Sequence, residues 1–218
     1  MDSAPRKGEQ TRLAIIECAL EMASRQGLRA LTLGTLAGQM RMSKTGVFAR
    51  VGSIQALQMD VLHAYRARFR DHVVDPASAA PAGLARLRAW FRCWAAHVGA
   101  PRGGGCFYLS CATEFDDCPG PLRDAVLADV LAWRAALEQC VQQAIDCGQL
   151  HASADARQVV CEMAGLILVL QHDTRLLRAT HGAERSVRAF ERLLATFKGE
   201  AAAANAPVFA LRRTIHLL

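Results

Sequence analysis

The stretch MRMSKTGVFARVGS, residues 40–53, decides how this chain folds. It lies between two segments whose apolar residues recur at helical spacing, and it is too short to link domains. Upstream, Leu13, Ile16, Leu20 and Ala23 fall on one face of a helix expected from Glu9 to Gln26, with Gly27 as its stop. Thr32 can cap a second helix, Leu33 to about Met40, that turns Leu33, Leu36, Ala37 and Met40 inward. Ser43 can cap a third, Lys44 to about Arg50, with Val47 and, at its end, Val51 inward. Gly52-Ser53 closes it, and Ser53 caps a fourth helix carrying Leu57, Val61, Leu62, Tyr65 and Phe69.

Two short helices joined by a tight turn, after one longer helix and before another, make a helix-turn-helix in a small bundle. The turn lets the third helix cross the second steeply, so its first residues can enter a DNA major groove while its other face stays packed. Ser43, Lys44 and Thr45 are then exposed hydrogen-bonding groups, Gly46 permits close approach of backbone to DNA, and Arg50 is a second cation. A short capped connector in an ordinary helical bundle is the alternative.

Charge is unevenly placed. Residues 1–72 hold 11 Lys+Arg against 6 Asp+Glu, and residues 73–218 hold 15 against 14, so nearly all of the net +6 is N-terminal. A basic segment on a nearly neutral body is the footprint of something that docks on phosphates and does a separate job elsewhere; a solvated face is the plainer reading. The longest apolar run, VVCEMAGLILVL (159–170), is interrupted by Glu162 and too short to span a membrane. The polar start, MDSAPRKGEQTR, lacks the apolar middle of a signal peptide, so a cytoplasmic location is expected.

The run TRLAIIECALEMASRQGLRALTLGTLAGQMRMSKTGVFARVGSIQALQMDVL resembles the N-terminal domain of TetR-type transcriptional regulators. The shared order is helix, Gly, Thr-capped helix, Ser-Lys-x-Gly-x-Phe, Gly-Ser and apolar helix, over roughly residues 9–62. The resemblance implies that Thr32 caps the second helix, that Ser43 to Phe48 belong to the recognition helix, and that Arg6, Lys7, Thr11 and Arg12 flank DNA phosphates. Two departures stand out. Val51 replaces a usual aromatic, and Ile54 replaces a usual Lys, which removes one expected phosphate contact for which Arg50 or Arg41 could substitute.

Asp75-Pro-Ala-Ser-Ala-Ala-Pro, residues 75–81, carries two prolines and is expected to break the helical pattern. Beyond it, Gly83 to Val98 reads as helix, with Leu84, Leu87, Phe91, Trp94 and Ala95 on one side, and Pro101-Arg-Gly-Gly-Gly as a loop. Pro119-Gly-Pro precedes a long helix from about Leu122 to Cys147, stopped by Gly148, and two more helices run from about Ala154 to Arg178 and Glu184 to Phe197. The segment CFYLSCATEFDDCPGPLRDAV also resembles the opening of the ligand-binding domain in one subset of the same family.

The expected organisation is a helix-turn-helix DNA-binding domain over 1–52 and a helical ligand-binding and dimerisation domain over 53–200, with helix 53–72 connecting them. Residues 201–218 form a tail, Ala-rich and then apolar and basic, with no assigned role. The segment from Val159 to Leu170 is apolar almost all round and needs cover on both sides. A second subunit supplies it most simply, and the resemblance implies that the last two helices of each subunit pair into a four-helix interface. A central core helix within a monomer is the alternative.

Eight cysteines stand at 18, 93, 106, 111, 118, 140, 147 and 161, without a C-x-x-C pair or zinc-finger spacing. Cys140 and Cys147 share a helix face but lie about 10.5 Å apart along it, beyond the roughly 7 Å that a disulfide allows. Cys106, Cys111 and Cys118 could approach one another near a loop, but small buried hydrophobes in a reducing compartment are the simpler reading. No phosphate loop, G-x-S-x-G or H-E-x-x-H is present, so no enzyme activity, cofactor or metal is expected. Glu114, Asp116 and Asp117 read as caps and charges at a helix start. His172 and Asp173 are a polar pair in an apolar setting, read as a satisfied interface histidine.

Trp90, Trp94, Phe107, Trp133, Met163 and Leu166 are large apolar groups on helices that could enclose a small-molecule pocket, or simply form core. The reading is an all-α, two-domain homodimer that binds a palindromic double-stranded operator. It is most simply a repressor released by a small apolar or aromatic effector. The alternatives are a cysteine-based redox sensor using Cys106, Cys111 and Cys118, and a helical interaction protein without specific DNA binding.

Overall fold

Ile15, Ile16, Ala19, Leu20 and Ala23 form the buried stripe of the first helix, α1 (Lys7–Gln26). The computed structural model describes residues 7–100 and 105–198. Leu13 departs from the expected inward face: it is 51% exposed, because the stripe that meets α3 and α4 runs through Ile15 and Ala19 instead. The second and third helices, α2 (Leu33–Met40) and α3 (Lys44–Val51), bury Leu36 and Ala37 and Val47 and Val51, respectively. Leu33 and Met40 are partly buried against the same core.

The caps explain why two such short helices hold their limits. Thr32 Oγ1 accepts from the Thr35 N–H at 3.0 Å, while Thr35 Oγ1 accepts from the Thr32 N–H at 3.1 Å, a reciprocal box. The α2 end is closed by Arg41, left-handed at φ 53°, whose N–H reaches back to Gly38 O. Ser43 Oγ takes the Gly46 N–H at 3.0 Å and Ser53 Oγ takes the Ala56 N–H at 3.1 Å, opening α3 and α4 (Ile54–Phe69).

Helix α4 leaves the N-terminal bundle and enters the body. Of the two prolines expected to break the pattern, Pro76 does not: the chain passes through a π turn, Arg70–Val74, into α5 (Asp75–Ser78), with Pro76 in its first turn. The wider i→i−5 ladder of the π turn leaves Pro76 at a helix start, where its missing N–H costs nothing. The break falls in the second half of the expected segment, where α5 ends at Ser78 and residues 79–83, Pro81 among them, are not helical, Gly83 taking φ 84°. The body is then built from α6 (Leu84–Gly99), α7 (Phe107–Phe115), α8 (Pro121–Asp146), α9 (Ala156–Arg175) and α10 (Gly182–Ala195). Helix α9 stops three residues before the expected Arg178, which itself takes φ 53°. Residues 101–104 of the expected loop and the tail 201–218 lie outside the described residues.

Tyr65 joins α4 to the body. Its hydroxyl meets His97 Nε2 of α6 at 3.1 Å and accepts the Phe107 N–H of α7 at 3.1 Å. Burial, with His72 and Arg68 nearby, lowers the His97 pKa to about 4, so the folded protein holds this imidazole neutral. Its contribution to stability is full above the unfolded value of about 6.5 and is lost as pH falls from there toward 4. Between pH 7 and 4.5 the wild type should lose roughly 2 kcal/mol more unfolding free energy than His97→Gln, after allowance for partial exposure. Urea titration of both proteins at the two pH values measures the difference, and parallel losses would contradict the neutral imidazole.

Candidate functional site

The first candidate surface is built at the N-terminal bundle. Because α2 and α3 are short and capped, the start of α2, the start of α3 and the start of α4 come together around one open groove. Thr32, Gly34, Lys44, Thr45, Phe48 and Ile54 line it. A methyl group at Gly34 would meet Lys44 Cε at 2.8 Å, so the absence of a side chain there lets Lys44 lie across the start of α2. Ser43, Lys44 and Thr45 are exposed, Gly46 is half-buried, and Phe48 is 55% exposed on the same helix. An exposed aromatic beside a cation and a hydroxyl makes poor core and a good contact surface.

The cations around this groove differ in their commitments. Arg50 extends from the end of α3 toward the start of α1, with its Nη1 3.1 Å from where a Cβ of Gly8 would stand. Lys7 is exposed at the first described position, and Thr11, half-buried, donates to Lys7 O at 2.9 Å. Arg12, in contrast, holds Asp60 at 2.6 Å and Glu9 at 3.5 Å, so it ties α1 to α4. Arg6 lies outside the described residues. The departure at 54 has a structural counterpart: Ile54 is partly buried against the core. Replacing the cap with Ser43→Ala should lower stability by about 1 kcal/mol by freeing the Gly46 N–H, and Ser43→Asp should restore most of it; thermal melts resolve this.

The body grips this bundle from two helices. Glu114 at the end of α7 accepts the Leu28 and Arg29 N–H groups of the α1–α2 loop at 2.8 and 2.6 Å. Arg175 at the end of α9 donates to Ser24 O at 2.9 Å and Arg25 O at 3.2 Å in the last turn of α1. Glu114 therefore acts across the domains and does not cap the start of α8, whose first turn follows Gly120 without a side-chain cap. Gly27 makes the close approach possible, since at φ 91° a Cβ would also meet the Glu114 carboxylate at 3.1 Å. Arg29 adds a cation–π contact over Phe115, 4.9 Å from the ring centroid, and a contact to Cys118. Sequence patterning could not have paired residues so far apart in the chain.

The second candidate site is a crevice of about 230 Å³ where α4, the π turn, α6, α7 and α8 converge. Trp90 and Trp133 line it together with Phe69, Tyr108, Arg66 and Asp129. Trp94, Phe107 and Met163, by contrast, are fully buried in the core, Trp94 in edge contact with Trp133 at 4.7 Å between ring centroids. Leu166 on α9 is partly buried against the core. Arg66 of α4 pairs with Asp129 of α8 at 2.7 Å. Next to them, burial and the Asp129 charge push the Tyr108 hydroxyl above its ordinary pKa. Arg66 and Asp129 belong to the site but carried no sequence signal, being charges at ordinary helical positions.

The cysteines give no support to redox chemistry. Burial raises the thiol pKa of Cys106 and Cys111, which keeps both protonated and poorly nucleophilic. Among the described residues no group of three or more His, Cys, Asp or Glu is placed to hold a metal ion, and no helix is long and apolar enough to cross a membrane. His172 is exposed and lies 3.6 Å from Asp173, which also pairs with Arg185 of α10 at 3.2 Å. Its neighbours along the chain at helical spacing, Leu168, Val169 and Leu176, are exposed apolar side chains.

A capped helix-turn-helix held by a separate helical body defines a DNA-binding regulator. Residues 83–190 match the family described as the tetracyclin repressor-like C-terminal domain. The chain belongs to the TetR family of transcriptional regulators. No curated protein matches the sequence significantly. A TetR transcriptional regulator from Chloroflexus aurantiacus shares the fold at TM-score 0.81 and 19% identity, over 89% of this chain and 99% of that one. The ketosteroid transcriptional regulator KstR2 of Mycobacterium tuberculosis aligns at TM-score 0.69 and 16% identity, over 87% of this chain and 96% of that one. AibR, solved with isovaleryl coenzyme A and operator DNA, aligns at TM-score 0.68 and 19% identity, over 84% and 97%.

Proposed function

We propose that this protein is a homodimeric, cytoplasmic repressor that binds a palindromic operator and is released from it by a small apolar or aromatic effector. The observation that carries the DNA-reading half is the cluster of exposed Lys44, Thr45 and Phe48 on a rigidly capped short helix. In this reading Ser43, Lys44, Thr45 and Gly46 approach base edges. Arg6, Lys7, Thr11, Thr32, Phe48 and Arg50 position the head on the backbone and groove walls. Residues 1–52 read DNA, residues 53–200 bind effector and partner, and the rod from Ile54 to Ser78 joins them.

The effector half rests on Trp90 and Trp133 facing one crevice beside α4. An effector releases DNA only if it prefers one arrangement of the two heads over the other. The crevice meets this requirement because α4 both lines it and follows α3 directly.

Selection of bound sequences from a random duplex pool, followed by titration of the winner at two salt concentrations, tests the DNA half. The expected result is a palindrome bound at least 1000-fold more tightly than random DNA, with a salt slope of about −0.9 per phosphate neutralised. No enriched sequence, with affinity following salt alone, would overturn the proposal.

A further inference from the structure

Two buried polar atoms at the crevice have no hydrogen-bond partner: Asp129 Oδ2 and Trp133 Nε1. Both residues line the same space, and as i and i+4 on α8 they share a helix face. One is an acceptor without a donor and the other a donor without an acceptor. Leaving either unmet costs about 1 to 3 kcal/mol, so such atoms mark a place where something else binds. Arg66 already satisfies Asp129 Oδ1 at 2.7 Å, and no group among the described residues meets hydrogen-bond geometry at Oδ2.

We infer that the crevice is the effector site and that its ligand class is an uncharged aromatic alcohol, a phenol or its fused-ring equivalent, whose hydroxyl donates to Asp129 and accepts from Trp133. A hydroxyl is the smallest group that supplies both functions. The walls Phe69, Trp90, Tyr108 and Trp133 take the ring. A volume of about 230 Å³ suits one or two rings, given that about 150 Å³ holds benzene. Charge argues for a neutral ligand. A carboxylate has no hydrogen to give Asp129 Oδ2, and Arg70 opposes an ammonium.

The inference rests on the effector-release reading and adds its chemistry and route. A hydroxyl donating to Asp129 Oδ2 draws charge from the carboxylate that Arg66 holds through Oδ1 and so weakens the one ion pair described between α4 and α8. Because only Gly52 and Ser53 separate α3 from α4, a shift of α4 is a shift of the recognition helix.

The test is calorimetry on the full chain with phenol, anisole, benzoate and benzylammonium, paired with operator release by each. Phenol is expected to bind at least tenfold more tightly than anisole, which keeps the ring but cannot donate, and more tightly than either ion. In Trp133→Phe and Asp129→Asn the preference for phenol over anisole should fall toward unity, with circular dichroism confirming that both variants fold. Equal affinity for phenol and anisole, or tighter binding of benzoate or benzylammonium, overturns the assignment. If anisole matches phenol and both release the operator, release by an apolar ligand survives and only the hydroxyl class fails. Phenol that binds with the predicted preference but leaves the operator occupied supports the ligand class and sinks the release reading.

Discussion

Alanine at both Lys44 and Thr45 is expected to cut affinity for the selected operator by roughly 30-fold to 20,000-fold while leaving the melting temperature unchanged. The size follows from two facts. Each good base contact is worth about 1 to 3 kcal/mol, and in a two-fold complex every substitution removes its contact from both half-sites, so even one base contact per head costs about 2 to 6 kcal/mol. Stability is spared because both side chains are exposed and the helix is capped by Ser43 and stopped at Gly52, neither of which changes. The single variants separate the two kinds of contact. Thr45→Ala should relax sequence preference and leave the salt slope as it was. Lys44→Ala should do the same if it reads a base, or should weaken all sequences alike and reduce the slope by about 1 if it holds a phosphate. Wild-type binding by both variants on every duplex would mean that α3 is not the reading element.

Helices α2 and α3 and their caps are legible in the sequence because their signals are local. Thr32, Ser43 and Ser53 each act within three residues, and all three cap as the spacing predicts. Periodicity also placed Leu57, Val61, Leu62, Tyr65 and Phe69 in the core, where they are. Periodicity failed where burial depends on which neighbour a face meets: Leu13 has the right spacing and points to solvent. Pro76 misled for a different reason, since a proline disfavours helix only if its N–H is wanted, and the π turn before it removes that demand. What sequence could not disclose is long-range pairing. Glu114 against the Leu28 and Arg29 amides and Asp129 against Arg66 join residues far apart in the chain, and each is a carboxylate at an unremarkable helical position. Those pairings are also what connect the body to the DNA-reading end, so the least legible part of the molecule is its coupling.

Glutamate at both Leu168 and Val169 is expected to convert the protein to a monomer in sedimentation and to lower affinity for a palindromic operator at least 100-fold. Helix α9 buries Val159, Val160, Met163, Ala164, Ile167 and Leu170 within its own subunit. That leaves Leu168 50%, Val169 58%, Leu176 69% and Leu177 60% exposed at its far end. Four large aliphatic groups so close together exceed the scattered apolar exposure of ordinary surfaces. In the homodimer proposed above, the same patch on a second copy covers them, since a two-fold interface is self-complementary. Two glutamates per subunit at that contact would place four like charges in a desolvated seam, which no neighbouring group in the subunit core needs to accommodate because both positions face out. Loss of the dimer then separates the two heads. A linked pair gains about 100-fold to 10,000-fold from the second contact, and a monomer forfeits it. Binding to an isolated half-site should remain unchanged, which distinguishes lost pairing from a damaged head. If the double variant stays dimeric and holds the palindrome as before, the subunits join through some other face, and the exposed end of α9 must be covered by something other than its own copy.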